Sequence, residues 1–225
     1  MQKITVLLAD DHTVVRQGLR ALLAAESDIE VVGEAETGRQ TIQLVGKFLP
    51  DVVVMDIAMP LLNGLEATRQ ITREVPSTRV IILSSYSDDE YVEQLTEAGA
   101  IGYLLKQTAA TDLIKAIREA KQGNAYFSPS ISRRMLDIYR QAFVSGQPAR
   151  KLGDSLTSRE SEVLQLIAEG KTNKQIAAEL FISIKTVEKH RQQVMNRLNI
   201  HDIAGLTRYA MSKGIIESRP ALDPS

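Results

Sequence analysis

Asp10, Asp11, Asp56, Ser84 and Lys106 are residues whose types and spacing could support phosphoryl chemistry. The acidic pair follows the apolar run Ile4–Ala9, and Asp56 follows Val52–Met55. Ser84 follows the run 80–83, and Lys106 follows 103–105. Short, continuous Val/Ile/Leu runs read as strands buried on both faces, hence as a parallel sheet. Open parallel sheets bind ligands in the crevice at the carboxyl ends of their strands, where all five residues fall. A doubly wound strand order sets the ends of the first and third runs side by side, so three carboxylates converge. Like charges within ~4–6 Å raise one another's pKa, and a hard divalent cation relieves that repulsion. Mg2+ favours a few carboxylates completed by water and a phosphate oxygen. A hydroxyl at position 84 and an ammonium at position 106 would then serve the oxygens of a phosphoryl group carried by Asp56.

The elements that must hold these residues alternate. Helical stripes follow the strand runs: Val14, Val15, Leu19, Leu22 and Leu23, then segments 41–47, 65–74, 90–98 and 112–121, with a further strand at 29–32. Five strand–helix units result, and Pro50, Pro60, Gly64, Pro76, Gly99, Gly102 and Gly123 punctuate them. The expected fold is α/β, a doubly wound five-stranded parallel sheet, joined to an all-α domain. The first domain spans 1–122. A linker with a helix at 130–142 follows over 123–154, most polar at 145–154, and the helical domain spans 155–218.

Charge supports this division. The chain carries 27 basic and 28 acidic residues, a net of -1. Residues 1–125 hold 12 basic and 18 acidic residues, a balance of -6, and residues 126–225 hold the remaining 15 and 10, a balance of +5. An acidic front and a basic rear point to different partners. The rear has helix-turn-helix spacing: a helix at 176–180 capped by Asn173, the turn Phe181-Ile182-Ser183, and a second helix over 184–198. Its outward face carries Lys185, Glu188, Lys189, Arg191, Gln192 and Arg197, with His190 among them. Cations near a helix N-terminus oppose the macrodipole, and a DNA phosphate is the obvious compensating anion. Val194, Met195 and Leu198 read as core.

Two resemblances carry the reading further. Leu8-Ala9-Asp10-Asp11-His12, Met55-Asp56-Ile57-Ala58-Met59-Pro60 with Gly64, Ile82-Leu83-Ser84 and Gly102-Tyr103-Leu104-Leu105-Lys106 resemble a bacterial receiver domain, of flavodoxin-like fold, over about 1–122. Gln107 stands where many receivers carry proline. Leu156 to Leu164, Gly170 to Ala177 and Ile182 to His190 resemble a LuxR-type DNA-binding domain over about 155–216. Joined, the two are similar to the NarL/FixJ subfamily of two-component response regulators. The resemblance implies that Asp56 accepts a phosphoryl group from a histidine kinase. Asp10 and Asp11 would hold Mg2+ with Asp56 and the Ala58 carbonyl. Ser84 is then the switch hydroxyl, Lys106 the phosphate partner and Tyr103 the aromatic that turns inward. It also implies that Glu188, Lys189 and Gln192 face base edges, and that Asn173, Lys174, Thr186, His190 and Arg197 contact phosphates. A homodimer on double-stranded DNA, and contact with RNA polymerase, are further expectations.

The sequence contains no Cys, which excludes disulfides, thiolate zinc sites and cysteine nucleophiles and suits a reducing, cytoplasmic setting. No apolar run approaches the ~18 residues of a membrane span, and the N-terminus lacks the pattern of a secretory signal. His12, His190 and His201 are too scattered for a His-based metal site. Two other readings stay open: a DNA-binding regulator that works without phosphorylation, and a Mg2+-dependent aspartyl phosphatase. The latter wants alternating rather than adjacent acids after the first strand, and an acid where Ala58 stands.

Overall fold

The computed structural model describes residues 3–85, 89–107, 109–145 and 156–216, which fall into two compact units divided between Gly153 and Asp154. The first unit alternates strand and helix: β1 (Ile4–Ala9), α1 (Thr13–Ala24), β2 (Ile29–Ala35), α2 (Gly38–Phe48), β3 (Val52–Met55), α3 (Gly64–Glu74) and β4 (Arg79–Ser84). Then follow α4 (Asp89–Glu97), β5 (Gly102–Leu105), α5 (Ala109–Lys121), β6 (Tyr126–Phe127) and α6 (Pro129–Ser145). All pairings are parallel, in the order β2-β1-β3-β4-β5-β6. Successive strand residues point to opposite faces, and both faces are covered. Leu7, Val53, Met55, Ile82 and Tyr103 pack with Val45 of α2, Ile71 of α3 and Leu95 of α4. Val6, Leu8, Val54, Ile81 and Leu83 pack with Leu19 and Leu23 of α1 and Leu113 and Ile117 of α5. Two covered faces are the physical reason the strands read as unbroken apolar runs.

The sheet has one strand more than the five expected. Tyr126-Phe127 pairs with β5, with Tyr103 opposite Phe127, and two residues are too short to show a period. The helix expected at 130–142 runs over Pro129–Ser145, and its Ile131 is fully buried in the cluster that holds Tyr103. Residues 126–145 thus belong to the first unit, not to a linker. Positions 146–154 of the expected linker and 217–218 of the expected second domain lie outside the described residues.

The second unit is helical: α7 (Ser158–Ala168), α8 (Asn173–Glu179), α9 (Ile184–Leu198) and α10 (Ile203–Ser212). Each start is capped. Thr157 pairs with Glu160, and Thr172 with Gln175, in reciprocal capping boxes. Ser183 accepts from the Thr186 N–H and Asp202 from the Gly205 N–H. The expected cap Asn173 is instead the first residue of α8, because Thr172 has Gln175 three residues on to complete the box. Val163, Leu164, Ile167, Ile176, Val187, Val194 and Leu206 form the buried interior.

Candidate phosphoryl site and DNA-binding face

β1 lies between β2 and β3, so the connections leave it in opposite directions and open a crevice at its carboxyl end. The ladder continues one residue past each strand: the Asp10 N–H donates to the Ala35 carbonyl, and the Asp56 N–H to the Ala9 carbonyl. These bonds set Asp10 and Asp56 beside each other, 2% and 4% exposed. Lys106, just past β5, reaches both: its Nζ lies 2.8 Å from Asp10 Oδ2 and 2.9 Å from Asp56 Oδ2. The Ile57 N–H donates to Asp56 Oδ1 at 2.8 Å, and the His12 N–H to Asp10 Oδ1 at 2.8 Å. His12 Nδ1 lies 2.8 Å from Asp11 Oδ1, so this imidazole borders the acidic cluster. One donor atom from each of Asp10, Asp11, His12 and Asp56 lies within 4.8 Å of the others. Ser84 closes β4 and is wholly buried, Ala58 is buried in the loop after Asp56, and the Tyr103 ring lies inside the core.

Burial pushes the Asp56 carboxyl up to about 7; Lys106 acts against this and the neighbouring Asp10 charge adds to it. Burial also works against the Lys106 charge, but the Asp56 and Asp10 carboxylates hold its pKa above the ordinary value. The Asp56 shift makes stability depend on pH. A carboxyl whose folded value lies above its unfolded value imposes no penalty below about pH 4. The penalty grows as pH rises from about 4 to about 7 and is constant beyond. In Mg2+-free buffer, Asp56→Asn is therefore expected to be more stable than the wild type at pH 8 by up to about 4 kcal/mol, from a rise of about three pKa units at about 1.4 kcal/mol each. By pH 4 the gain should vanish. Urea unfolding of both proteins at the two pH values measures this, and an equal gap at both would contradict it.

In the second unit, Lys174, Lys185, Glu188, Lys189 and Gln192 are exposed on α8 and α9, and Thr186 and His190 are half-buried. Two arginines expected on the outward face also make contacts within the unit: Arg197 is exposed and Arg191 half-buried. Arg197 Nη1 lies 2.7 Å from Oε2 of buried Glu160, and Arg191 Nη1 donates to Asn173 Oδ1 at 3.0 Å. The first contact ties α9 to the capping box of α7, and the second ties α9 to α8. Arg197, and the pair Asn173–Arg191, thus brace the helix-turn-helix.

Comparison with known proteins agrees with both halves. Residues 6–118 match the response regulator receiver domain model, and residues 154–210 match the model for bacterial regulatory proteins of the luxR family. The transcriptional regulatory protein LiaR of Bacillus subtilis is 44% identical over 92% of this chain and 96% of its own length. The oxygen regulatory protein NreC of Staphylococcus carnosus is 38% identical over 94% and 99%. RcsB of Salmonella enterica serovar Typhimurium, solved on the promoter rprA with the phosphomimetic BeF3-, aligns at a TM-score of 0.61 with 31% identity, covering 92% of this chain and 98% of that one. The chain belongs to the NarL/FixJ subfamily of two-component response regulators. It is a transcriptional regulator with a receiver and a LuxR-type DNA-binding domain, not a member of an enzyme family in the ordinary sense.

Of this response regulator's expected pocket residues, the structure gathers Asp10, Asp11, Asp56 and Lys106 into one cluster. Arg16 is the residue the spacing does not announce. It is 6% exposed on the apolar stripe of α1, and its guanidinium donates to the Asp10 carbonyl at 2.6 Å. The available signal was a lone arginine in register with Leu19 and Leu23, at positions where a core-facing helix carries apolar residues.

Proposed function

We infer that Asp56 accepts a phosphoryl group from a partner histidine kinase, and that this modification controls dimerisation and DNA binding. The observation that carries the reading is Lys106 Nζ bridging Asp10 and Asp56 at 2.8 and 2.9 Å in a buried crevice. In the transfer, an Asp56 oxygen bonds to phosphorus as the phosphorus–nitrogen bond of the kinase phosphohistidine breaks. Lys106 donates to the oxygens of the transferred group, and the Ser84 hydroxyl serves another of them. Tyr103 is the aromatic that responds to the change at Ser84. The Asp10, Asp11 and Asp56 side chains, with the Ala58 carbonyl, would hold Mg2+. The donor set suits a hard cation: three carboxylates converge, and one ammonium balances only part of their charge. Bound there, Mg2+ stabilises negative charge on the phosphoryl oxygens. The protein catalyses its own phosphorylation and dephosphorylation only. Incubation with acetyl phosphate should add one phosphoryl group per chain in the presence of Mg2+, whereas steady turnover of a generic phosphomonoester would favour the phosphatase reading.

The second unit binds double-stranded DNA as part of a homodimer, with Glu188, Lys189 and Gln192 toward base edges, Asn173, Lys174, Thr186, His190 and Arg197 toward the backbone phosphates, and Lys185 and Arg191 on the same basic face. RNA polymerase is a further partner. A DNA-binding regulator acts in the cytoplasm, and no helix among the described residues is long and apolar enough to cross a membrane. Lys174→Ala is expected to weaken binding to all sequences alike and to reduce the slope of log K against log salt by about 1. Lys189→Ala should cost about 1–3 kcal/mol at the preferred site and much less elsewhere. Fluorescence anisotropy on specific and random duplexes at several salt concentrations separates the two.

A further inference from the structure

We propose that Arg16 is a positioning residue for the acidic pocket, fixing the Asp10–Asp11 peptide so that both carboxylates are preorganised for Mg2+. This rests on the reading of the pocket given above. A buried guanidinium is costly unless paired, and Arg16, 6% exposed, has hydrogen bonds from both Nη atoms, while its Nε has only an ion-pair contact. Nη1 donates to the Asp10 carbonyl at 2.6 Å; Nη2 donates to Glu36 Oε1 at 2.5 Å and to Thr13 Oγ1 at 3.5 Å; Nε lies 3.5 Å from Glu34 Oε2. The Asp10 carbonyl belongs to the peptide unit between the two acids. β1 has ended at Ala9, and the ladder has already used the Ala9 carbonyl and the Asp10 N–H. Arg16 takes over where the sheet stops. Holding this carbonyl restricts ψ of Asp10 and φ of Asp11, and so the directions of both side chains. The His12 N–H then holds Asp10 Oδ1 from the other side. Mg2+ demands near-ideal octahedral geometry, so a turn free to rotate would spoil the site.

Glu34 and Glu36 balance the Arg16 charge, which gives the proposal a sign that distinguishes it from simple electrostatics. Removing a cation near the pocket, with both glutamates left behind, should strengthen cation binding if charge alone mattered. Loss of positioning should weaken it. Outer contacts of this kind typically contribute about 10–100-fold to metal affinity.

The test is Mg2+ binding to the full chain by isothermal titration calorimetry, together with the half-saturating Mg2+ and the plateau rate of labelling by acetyl phosphate. Arg16→Met should weaken Mg2+ binding about tenfold while the plateau rate stays within about threefold of the wild type. Arg16→Lys, which keeps one donor but loses the fork, should fall between the two. Glu36→Ala alters an exposed side chain that helps hold the guanidinium, and should weaken binding about two- to threefold without emptying a buried position. Unchanged or tighter Mg2+ binding in Arg16→Met would overturn the proposal. If that variant does not fold, wild-type Mg2+ affinity in Glu36→Ala overturns it. Failure of the phosphoacceptor reading looks different: Asp56→Asn would then label as well as the wild type, whatever Arg16 does.

Discussion

Asp56→Asn is expected to lower Mg2+-dependent labelling by acetyl phosphate about 1,000-fold or more, the scale of effect seen when a nucleophile is removed. The amide oxygen of Asn carries no negative charge with which to attack phosphorus, yet the side chain keeps the size and shape of Asp. It can still accept from the Ile57 N–H, which now donates to Asp56 Oδ1 at 2.8 Å. The substitution also removes a carboxylate that burial disfavours, so the protein should not unfold. Loss of labelling therefore reports chemistry rather than collapse. Asp10 is a poor substitute nucleophile, being 2% exposed with its carboxylate held by Lys106 and the His12 N–H. Peptide mapping by mass spectrometry should find the wild-type phosphoryl group on the peptide containing Asp56; a label that survives in Asp56→Asn would move the acceptor elsewhere.

Gly64→Ala is the second substitution with a large expected effect, and it acts through the backbone. A Cβ at Gly64 would lie 1.9 Å from the Asp56 carbonyl oxygen and 3.0 Å from Ile57 Cα. The Gly64 N–H donates to the Ile57 carbonyl at 2.7 Å, so the start of α3 is drawn tightly onto the segment that carries Asp56. Both neighbours are main chain, with no side-chain end that could swing away. Either α3 or the Asp56 loop must move. Overpacking of this severity should cost about 3 kcal/mol or more, lowering the melting temperature by roughly 10 °C. Because the yielding element includes Asp56, labelling should slow as well. Gly46→Ala is the control: nothing lies within 4 Å of its added Cβ, and alanine is the better helix former there. Differential scanning calorimetry and labelling of both variants decide the matter, and a Gly64→Ala protein with wild-type melting and labelling would contradict it.

The pocket was legible because its chemistry sits at strand ends and its strands are buried on both faces. Val52–Met55 is wholly apolar for that reason, and the Asp that follows it stands out. β6 was not legible, since Tyr126-Phe127 is too short for periodicity and is fixed only by pairing with β5. Arg16 escaped notice because arginine is ordinarily a surface residue, and only the fold reveals a carbonyl and two glutamates around it. The partners of Arg197 and Arg191 were equally hidden. Helical spacing assigns both arginines to the outward side of α9, but a long flexible stem lets each guanidinium fold back onto Glu160 or Asn173. The cap of α8 is Thr172, one residue before the expected Asn173, because Gln175 completes a capping box with Thr172.

The central claim is that a phosphoryl group on Asp56 governs binding by the second unit to DNA. Its most direct test is the dissociation constant for a selected DNA site, measured at fixed salt, for the wild type with and without acetyl phosphate and for Asp56→Asn under the same two conditions. The wild type should bind at least about tenfold more tightly when phosphorylated, a coupling of about 1.4 kcal/mol, and Asp56→Asn should show no change. Equal affinity of the two wild-type states, or a gain that persists in Asp56→Asn, would contradict it.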